Sequence, residues 1–246
     1  HPDVLFLAEA FTRPKIMNEL AKQGFTQSYT YFTWRSSKNE LIEYVEELTK
    51  SDQKEFYRPN FWPNTPDINP GHLQHGNESI HLQRYFLAAT LSSSIGIYGP
   101  VFEYQISTPL APGKEEYLNS EKYEFFKWDW DKQNKITTVI SRINKIRNEH
   151  ASLQQTNNID FCATNNDKVM AYYKFDDEKQ DETLMVASLD SNYTAQSMVL
   201  LPQELLSKLP LKITDLITGN SYIWEKEWNF VEISPDLPFH LFKVER

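Results

Sequence analysis

The sequence predicts an α/β segment followed by an all-β one, and three observations lead there. Apolar, strand-like runs alternate with helical patterns from the start to about residue 150. A polar stretch over residues 151–158 reads as a linker. Beyond it, short strand-like runs are separated by turn residues, with no helical pattern between them. The division is therefore placed at residues 1–155 and 156–246.

In the first segment, residues 4–8 form a continuous apolar run, as in a strand buried on both faces. Pro14 suits the first turn of a helix that reaches Lys22, and Gly24 stops it. Residues 27–32, rich in Tyr and Thr, read as a second strand. Ser36 or Ser37 can cap the next helix, which carries Leu41, Ile42, Val45 and Leu48 at helical spacing. A third strand is predicted over 56–61, a helix over 78–91, and a fourth strand over 95–98. A long loop then runs from Gly99 to about Trp130. The last helix spans about 133–150, with Ile136, Val139, Ile140, Ile143 and Ile146 as its inner stripe. Four successive βα units imply parallel strands joined by helical crossovers. In the second segment, residues 169–175, 183–189, 197–201, 212–216, 221–224 and 239–244 read as strands of a β-sandwich.

Composition removes several function classes. The chain has 25 Lys+Arg against 34 Asp+Glu, a formal net charge of −9, which disfavours a nucleic-acid partner. No apolar run approaches the roughly 18 residues of a membrane helix. One cysteine, Cys162, excludes an intramolecular disulfide and a multi-Cys zinc site, and fits a reducing, cytoplasmic setting. Aromatics make up 14% of the residues, which suits a large core and equally suits a carbohydrate site, where sugar faces stack on rings.

Two carboxylates stand out by position. Glu9 directly follows the first apolar run, and Asp67 lies just past the third strand. In a βα barrel such strand ends gather on one face, where two carboxyls can act as acid and base or as acid and charge stabiliser. By pattern alone, each is better explained as a helix N-cap or a loop salt-bridge partner, because carboxylates after strands are common. His72 and His75 lie three apart in a Gly/Pro/Asn-rich loop without an obvious third ligand, so no metal site is assigned. Trp34 is expected to face the cleft or to pack under the following helix. Trp128 and Trp130 are expected to be packing residues.

Five segments together resemble one family. They are Asp3-Val-Leu-Phe-Leu-Ala-Glu-Ala-Phe-Thr-Arg-Pro-Lys15, Gly24-Phe-Thr-Gln-Ser-Tyr-Thr-Tyr-Phe-Thr-Trp-Arg35, Arg58-Pro-Asn-Phe61, Asn64-Thr-Pro-Asp67 and Glu116-Tyr-Leu-Asn-Ser-Glu-Lys-Tyr-Glu124. The first resembles the fifth-strand motif of the α-amylase superfamily (glycoside hydrolase family 13). The set resembles the C-terminal part of bacterial maltosyltransferases that extend α-1,4-glucans using α-maltose 1-phosphate.

The resemblance implies the C-terminal half of a (β/α)8 TIM barrel, strands five to eight, followed by a C-terminal antiparallel β-sandwich. It implies that Glu9 is the general acid/base and that Asp67 stabilises the oxocarbenium-like transition state. Lys122 and Tyr123 match the pair that holds the non-reducing end of the donor maltose. Pro66 precedes Asp67 where most α-amylases have His, a departure that favours the maltosyltransferase branch. The nucleophilic Asp of a retaining mechanism is carried at the end of the fourth strand in this family, so it is expected upstream of this chain. The chain alone is then expected to be inactive and to lack its N-terminal half. No cofactor is implied, because a double displacement needs only carboxylates. Half a barrel leaves open strand edges, so pairing into a homodimer or a local rearrangement is expected. Two other functions stay open: an α-amylase-type hydrolase or glucanotransferase, and a non-catalytic glucan-binding piece.

Overall fold

The computed structural model describes residue 1 and residues 3–245. The α/β part begins with β1 (Leu7–Ala8) and α1 (Pro14–Lys22), which Pro14 opens. Gly24, at φ +106°, makes the left-handed turn into β2 (Gln27–Tyr29). A 3₁₀ turn over Tyr31–Thr33 leads to α2 (Lys38–Lys50). Ser37 caps α2 and exchanges hydrogen bonds with Glu40, closing a reciprocal box. Then come α3 (Gln53–Phe56), β3 (Pro59–Phe61), α4 (Glu78–Leu91), β4 (Ser94–Ile95), α5 (Gly99–Glu103) and α6 (Lys135–Glu149). The strands pair in parallel in the order β1-β2-β3-β4, so their C-terminal ends share one edge.

Several expectations are corrected here. The strand expected over 4–8 contracts to Leu7–Ala8, and Val4, Leu5, Phe6 and Leu7 are exposed rather than buried on both faces. The cause is topological: β1 is the sheet edge and pairs only with β2. The second strand ends at Tyr29, where the chain tightens into the 3₁₀ turn. Phe56 closes the short helix α3 instead of opening β3. The loop after Gly99 begins with the helical turn α5. The stretch expected as a polar linker contains a 3₁₀ turn, Ala151–Gln154, in which Ser152 and Leu153 are buried. Asp181 pins it, taking hydrogen bonds from the Ser152 backbone and hydroxyl at 2.9 Å and pairing with His150 at 2.7 Å.

The all-β part contains β5 (Ile159–Cys162), β6 (Val169–Phe175), β7 (Glu182–Ser188), β8 (Ala195–Leu200), α7 (Gln203–Leu206), β9 (Leu211–Asp215), β10 (Ser221–Trp224), β11 (Trp228–Ile233) and β12 (Phe239–Glu245). Six of these strands form an antiparallel sheet, β10-β9-β12-β7-β6-β5, and β11 pairs with β8. β5 and β11 escaped the sequence reading.

The large sheet is buried on both faces. Val169, Ala171, Tyr173, Leu184, Val186 and Phe242 point toward the β8–β11 pair. Their alternates Met170, Tyr172, Met185, Ala187, Phe239 and Leu241 join the core of the α/β part. The Phe239 ring stacks on Phe86 of α4 at 4.1 Å and 1°. The same face holds Lys174, fully buried, whose Nζ donates to the Gln155 carbonyl at 2.5 Å. Burial and the like charge of Arg147 push its ammonium down to about 7. No helix among the described residues is long and apolar enough to cross a membrane.

Removing the Phe239 ring by Phe239→Ala should cost about 3–5 kcal/mol, read as a lowered urea midpoint. Lys174 should give stability a distinct pH dependence. Its pKa is depressed in the folded state, so the unfolded chain binds more protons between about pH 7 and the ordinary lysine value near 10.4. Stability should therefore rise with pH across that window. The rise should shrink in Lys174→Met; an unchanged slope would contradict the buried ammonium.

Candidate active site

Glu9 lies one residue past β1, and Asp67 lies in the loop after β3, on the shared C-terminal edge of the parallel sheet. The long loop between α5 and α6 brings Lys122 over Asp67, with Nζ 2.6 Å from Oδ1. Both side chains of that pair are near half exposed, so solvent screens it and its worth to stability is small. Its consequence is electrostatic. Burial raises the Glu9 carboxyl above the usual range, the like charge of Asp67 raises it further, and Lys122 opposes both. The hydrogen bond to Asp67 in turn raises the Lys122 ammonium, against a smaller cost of desolvation. Two carboxylates and an ammonium thus share one field, in which one carboxyl is biased toward its protonated form.

The loop that delivers Lys122 is pinned from below. Asn64 donates to the Tyr117 hydroxyl at 2.9 Å and accepts from the Tyr98 backbone at 3.0 Å. The Tyr117 hydroxyl donates to the Ile68 carbonyl at 3.2 Å. Asn69 donates to the Ser107 carbonyl at 2.7 Å, and its backbone N–H donates to the Glu115 carbonyl at 2.6 Å. Asn64, Asn69 and Tyr117 are buried, so these bonds resist exchange with water. Beside the ion pair, a cavity of about 180 Å³ is lined by Asp67, Leu110, Tyr117, Lys122 and Tyr123. Tyr123 is 79% exposed and presents its ring at the rim.

Aromatic side chains stand next to Glu9. Burial, and then the Glu9 charge, raise the Tyr29 phenol. Tyr29 stacks on Trp62 at 4.7 Å. Trp62 in turn lies so close over Gly96 that a Cβ there would sit 2.2 Å from the indole. That glycine is needed for the close approach. Trp34 meets Phe11 edge-to-face at 4.9 Å and donates Nε1 to Glu115 at 2.6 Å, so it ties this wall to the long loop.

The remaining sequence candidates separate. His72 is partly buried, and that burial with the nearby Arg84 and His81 pushes it down to about 2, leaving it neutral. Among the described residues no group of three or more His, Cys, Asp or Glu is placed to hold a metal. Cys162 is buried, and burial pushes its thiol up to about 12, which removes it as a nucleophile. Trp128 packs on Phe126 and donates to Glu121 at 2.8 Å, but Trp130 is 72% exposed and is not the packing residue expected. The positioning residues Asn64, Asn69, Tyr117 and Trp62 were not singled out from the sequence. Gly96, a glycine inside a strand pattern, was the one legible signal of close approach.

The family described as "GLGE, C-terminal" matches residues 161–244. An α-1,4-glucan:maltose-1-phosphate maltosyltransferase of Methylacidiphilum infernorum is 48% identical over 254 residues, covering 100% of this chain and 37% of that protein. The protein of the same name from Chlorobaculum tepidum is 45% identical over 254 residues, covering 99% of this chain and 38% of its own length. This chain matches the C-terminal part of the maltosyltransferases. It spans about 37% of the length of the relatives it matches. An α-amylase of Geobacillus thermoleovorans, solved with acarbose, superposes with a TM-score of 0.69 at 15% identity, covering 100% of this chain and 54% of that one. An Anoxybacillus α-amylase gives 0.71 at 12% identity, covering 100% and 53%. At such identities these structures show the fold alone: α-amylase-like, a parallel α/β region followed by antiparallel sheets.

The site electrostatics can be checked without any assay of turnover. In a carboxyl-selective NMR titration, Glu9 should titrate above the usual glutamate value. Asp67→Asn, which removes a like charge, should move it down. Lys122→Met, which removes the opposing charge, should move it up. A Glu9 titration indifferent to both changes would mean that the three groups do not share a field.

Proposed function

We propose that this chain is the C-terminal portion of a retaining maltosyltransferase. The reaction moves a maltosyl unit from α-maltose 1-phosphate to the non-reducing end of an α-1,4-glucan and releases phosphate. The observation that carries the proposal is the grouping of Glu9, Asp67 and Lys122 on one sheet edge, in a chain 48% identical to a maltosyltransferase.

In this proposal Glu9 is the acid/base. A carboxyl held above its usual range can protonate the departing phosphate oxygen and then, as carboxylate, take the proton of the acceptor hydroxyl. Asp67, ion-paired with Lys122, stabilises the positive charge that develops at the anomeric carbon. Lys122 and Tyr123, at the rim of the cavity, bind hydroxyls at the non-reducing end of the donor. The nucleophilic aspartate of the double displacement comes from outside this chain, so the chain alone is inactive, and no cofactor enters. Residues 1–155 are assigned to the second half of the catalytic barrel and 156–246 to a C-terminal sandwich domain. The exposed Val4–Leu7 edge beside β1 is the surface on which the remaining strands of the barrel, or a second copy, would pair.

The full-length protein, given α-maltose 1-phosphate and a short maltooligosaccharide, should release inorganic phosphate and lengthen the acceptor by maltosyl units. Glu9→Gln should lower kcat by about 10²–10⁴-fold, the usual contribution of general acid–base catalysis. Shortening of the oligosaccharide without phosphate release would instead make the protein a hydrolase of the same fold.

A further inference from the structure

The sandwich carries an aromatic cleft that the proposed reaction does not use. It lies between the edge strand β10 and the following strand β11, which pairs in the other sheet, and it measures about 230 Å³. Trp224 and Phe242 form its floor, both buried, with ring centroids 5.8 Å apart. Tyr222 of β10 and Phe230 of β11 also line it, 45% and 58% exposed. Trp228, on the same outward face of β11 as Phe230, continues the strip.

One end of the cleft is polar. His240 stacks on Phe242 at 5.0 Å and pairs through Nδ1 with the buried Asp215 at 2.9 Å. Burial works against the imidazolium, but Asp215 and the Glu232 carbonyl together raise the His240 pKa. Nε2 lies 3.1 Å from that carbonyl, so both ring nitrogens are held and the ring is fixed. Glu232, which also lines the cleft, accepts from the Gln196 amide through Oε2 at 2.6 Å.

We propose that this cleft binds an α-glucan chain, with one sugar unit seated between Tyr222 and Phe230. The choice of an α-glucan rests on the function proposed above. The chemistry is that of sugar recognition: aromatic side chains from two strands offer rings to the C–H faces, and the Glu232 carboxylate in the lining can accept from hydroxyls. Its volume falls below the roughly 300–1,000 Å³ of sites that engulf a drug-sized ligand. An open slot of that size suits one unit of a polymer that continues along the strip to Trp228. A two-fold contact through this face is disfavoured, because it would gather the exposed Glu225, Glu227 and Glu232 of both copies in one interface.

The test is a calorimetric titration of the full-length protein with maltoheptaose, in an Asp67→Asn background that disables the proposed reaction. Maltoheptaose also enters the proposed catalytic site, so two sites should be read there, and Tyr222→Ala/Phe230→Ala should weaken one of them about tenfold or more and spare the other, the loss expected for well-placed aromatic anchors. Phe230 is mostly exposed and Tyr222 gives up only its edge contact with Phe242, so the thermal midpoint should fall by a few degrees at most. Tyr222→Trp, which keeps a stacking face, should retain affinity. Undiminished maltoheptaose binding in the double alanine variant would overturn the proposal. So would a double variant that turns a dimer into a monomer, since the face would then be an interface between copies. Ring-dependent binding in a protein that releases no phosphate from α-maltose 1-phosphate would uphold the cleft and sink the proposed reaction.

Discussion

Arg84, in the middle of α4, donates to the carbonyls of Phe32 at 2.6 Å and Arg35 at 2.7 Å, with its guanidinium 4.0 Å over the Phe32 ring. The side chain is 1% exposed, and burial lowers its pKa to about 9, so it is a buried cation at neutral pH. No carboxylate compensates it in these contacts; carbonyl dipoles and an aromatic face do. A buried charge held this way tolerates little displacement, because any lost bond leaves the charge unsolvated. The turn after β2 is thereby fastened to α4.

That helix fastens much else. Every residue of α4 except Glu78 and Ile80 is buried, unlike a helix with one wet face. Gln83 reaches the Ser188 carbonyl at 2.6 Å, Thr90 meets the Tyr172 hydroxyl at 2.6 Å, Phe86 stacks on Phe239, and Tyr85 donates to Asn144 of α6 at 2.7 Å. The parallel sheet, the last helix and the large antiparallel sheet are thus packed around one element. The core of the α/β part continues into the sandwich through alternate residues of β6, β7 and β12. The candidate site inherits this rigidity at the sheet edge, while its cationic member arrives on a loop held by Asn64, Asn69 and Tyr117. A rigid carboxylate edge and a pinned but half-exposed loop together leave the candidate site preorganised yet open to solvent.

Legibility in the sequence followed the strength of local periodicity. The helix over 78–91 and the strand over 169–175 were drawn to the residue, because long patterned runs leave little freedom. α3, α5 and α7 span only four or five residues and carry no period to detect. β11 does alternate, with Asn229, Val231 and Ile233 inward and Trp228, Phe230 and Glu232 outward. Its outward aromatics disguised the polarity contrast that marks a half-buried strand. The same three side chains line or extend the aromatic cleft, so the element that was hardest to see is also the one that shapes it.

The sequence by itself determined the order of the longer elements, the parallel-then-antiparallel architecture, and which carboxylates follow which strands. Those features depend on local pattern and on short motifs, and both are written along the chain. Only the tertiary structure decided that Lys122 sits on Asp67, 55 residues away by the numbering, and that both bias Glu9. It also decided that the stretch after α6 is pinned by Asp181, and that Tyr222 and Phe230 line one cleft. These are contacts between segments far apart in sequence. Their energies arise from burial, charge and ring packing, which no local pattern encodes.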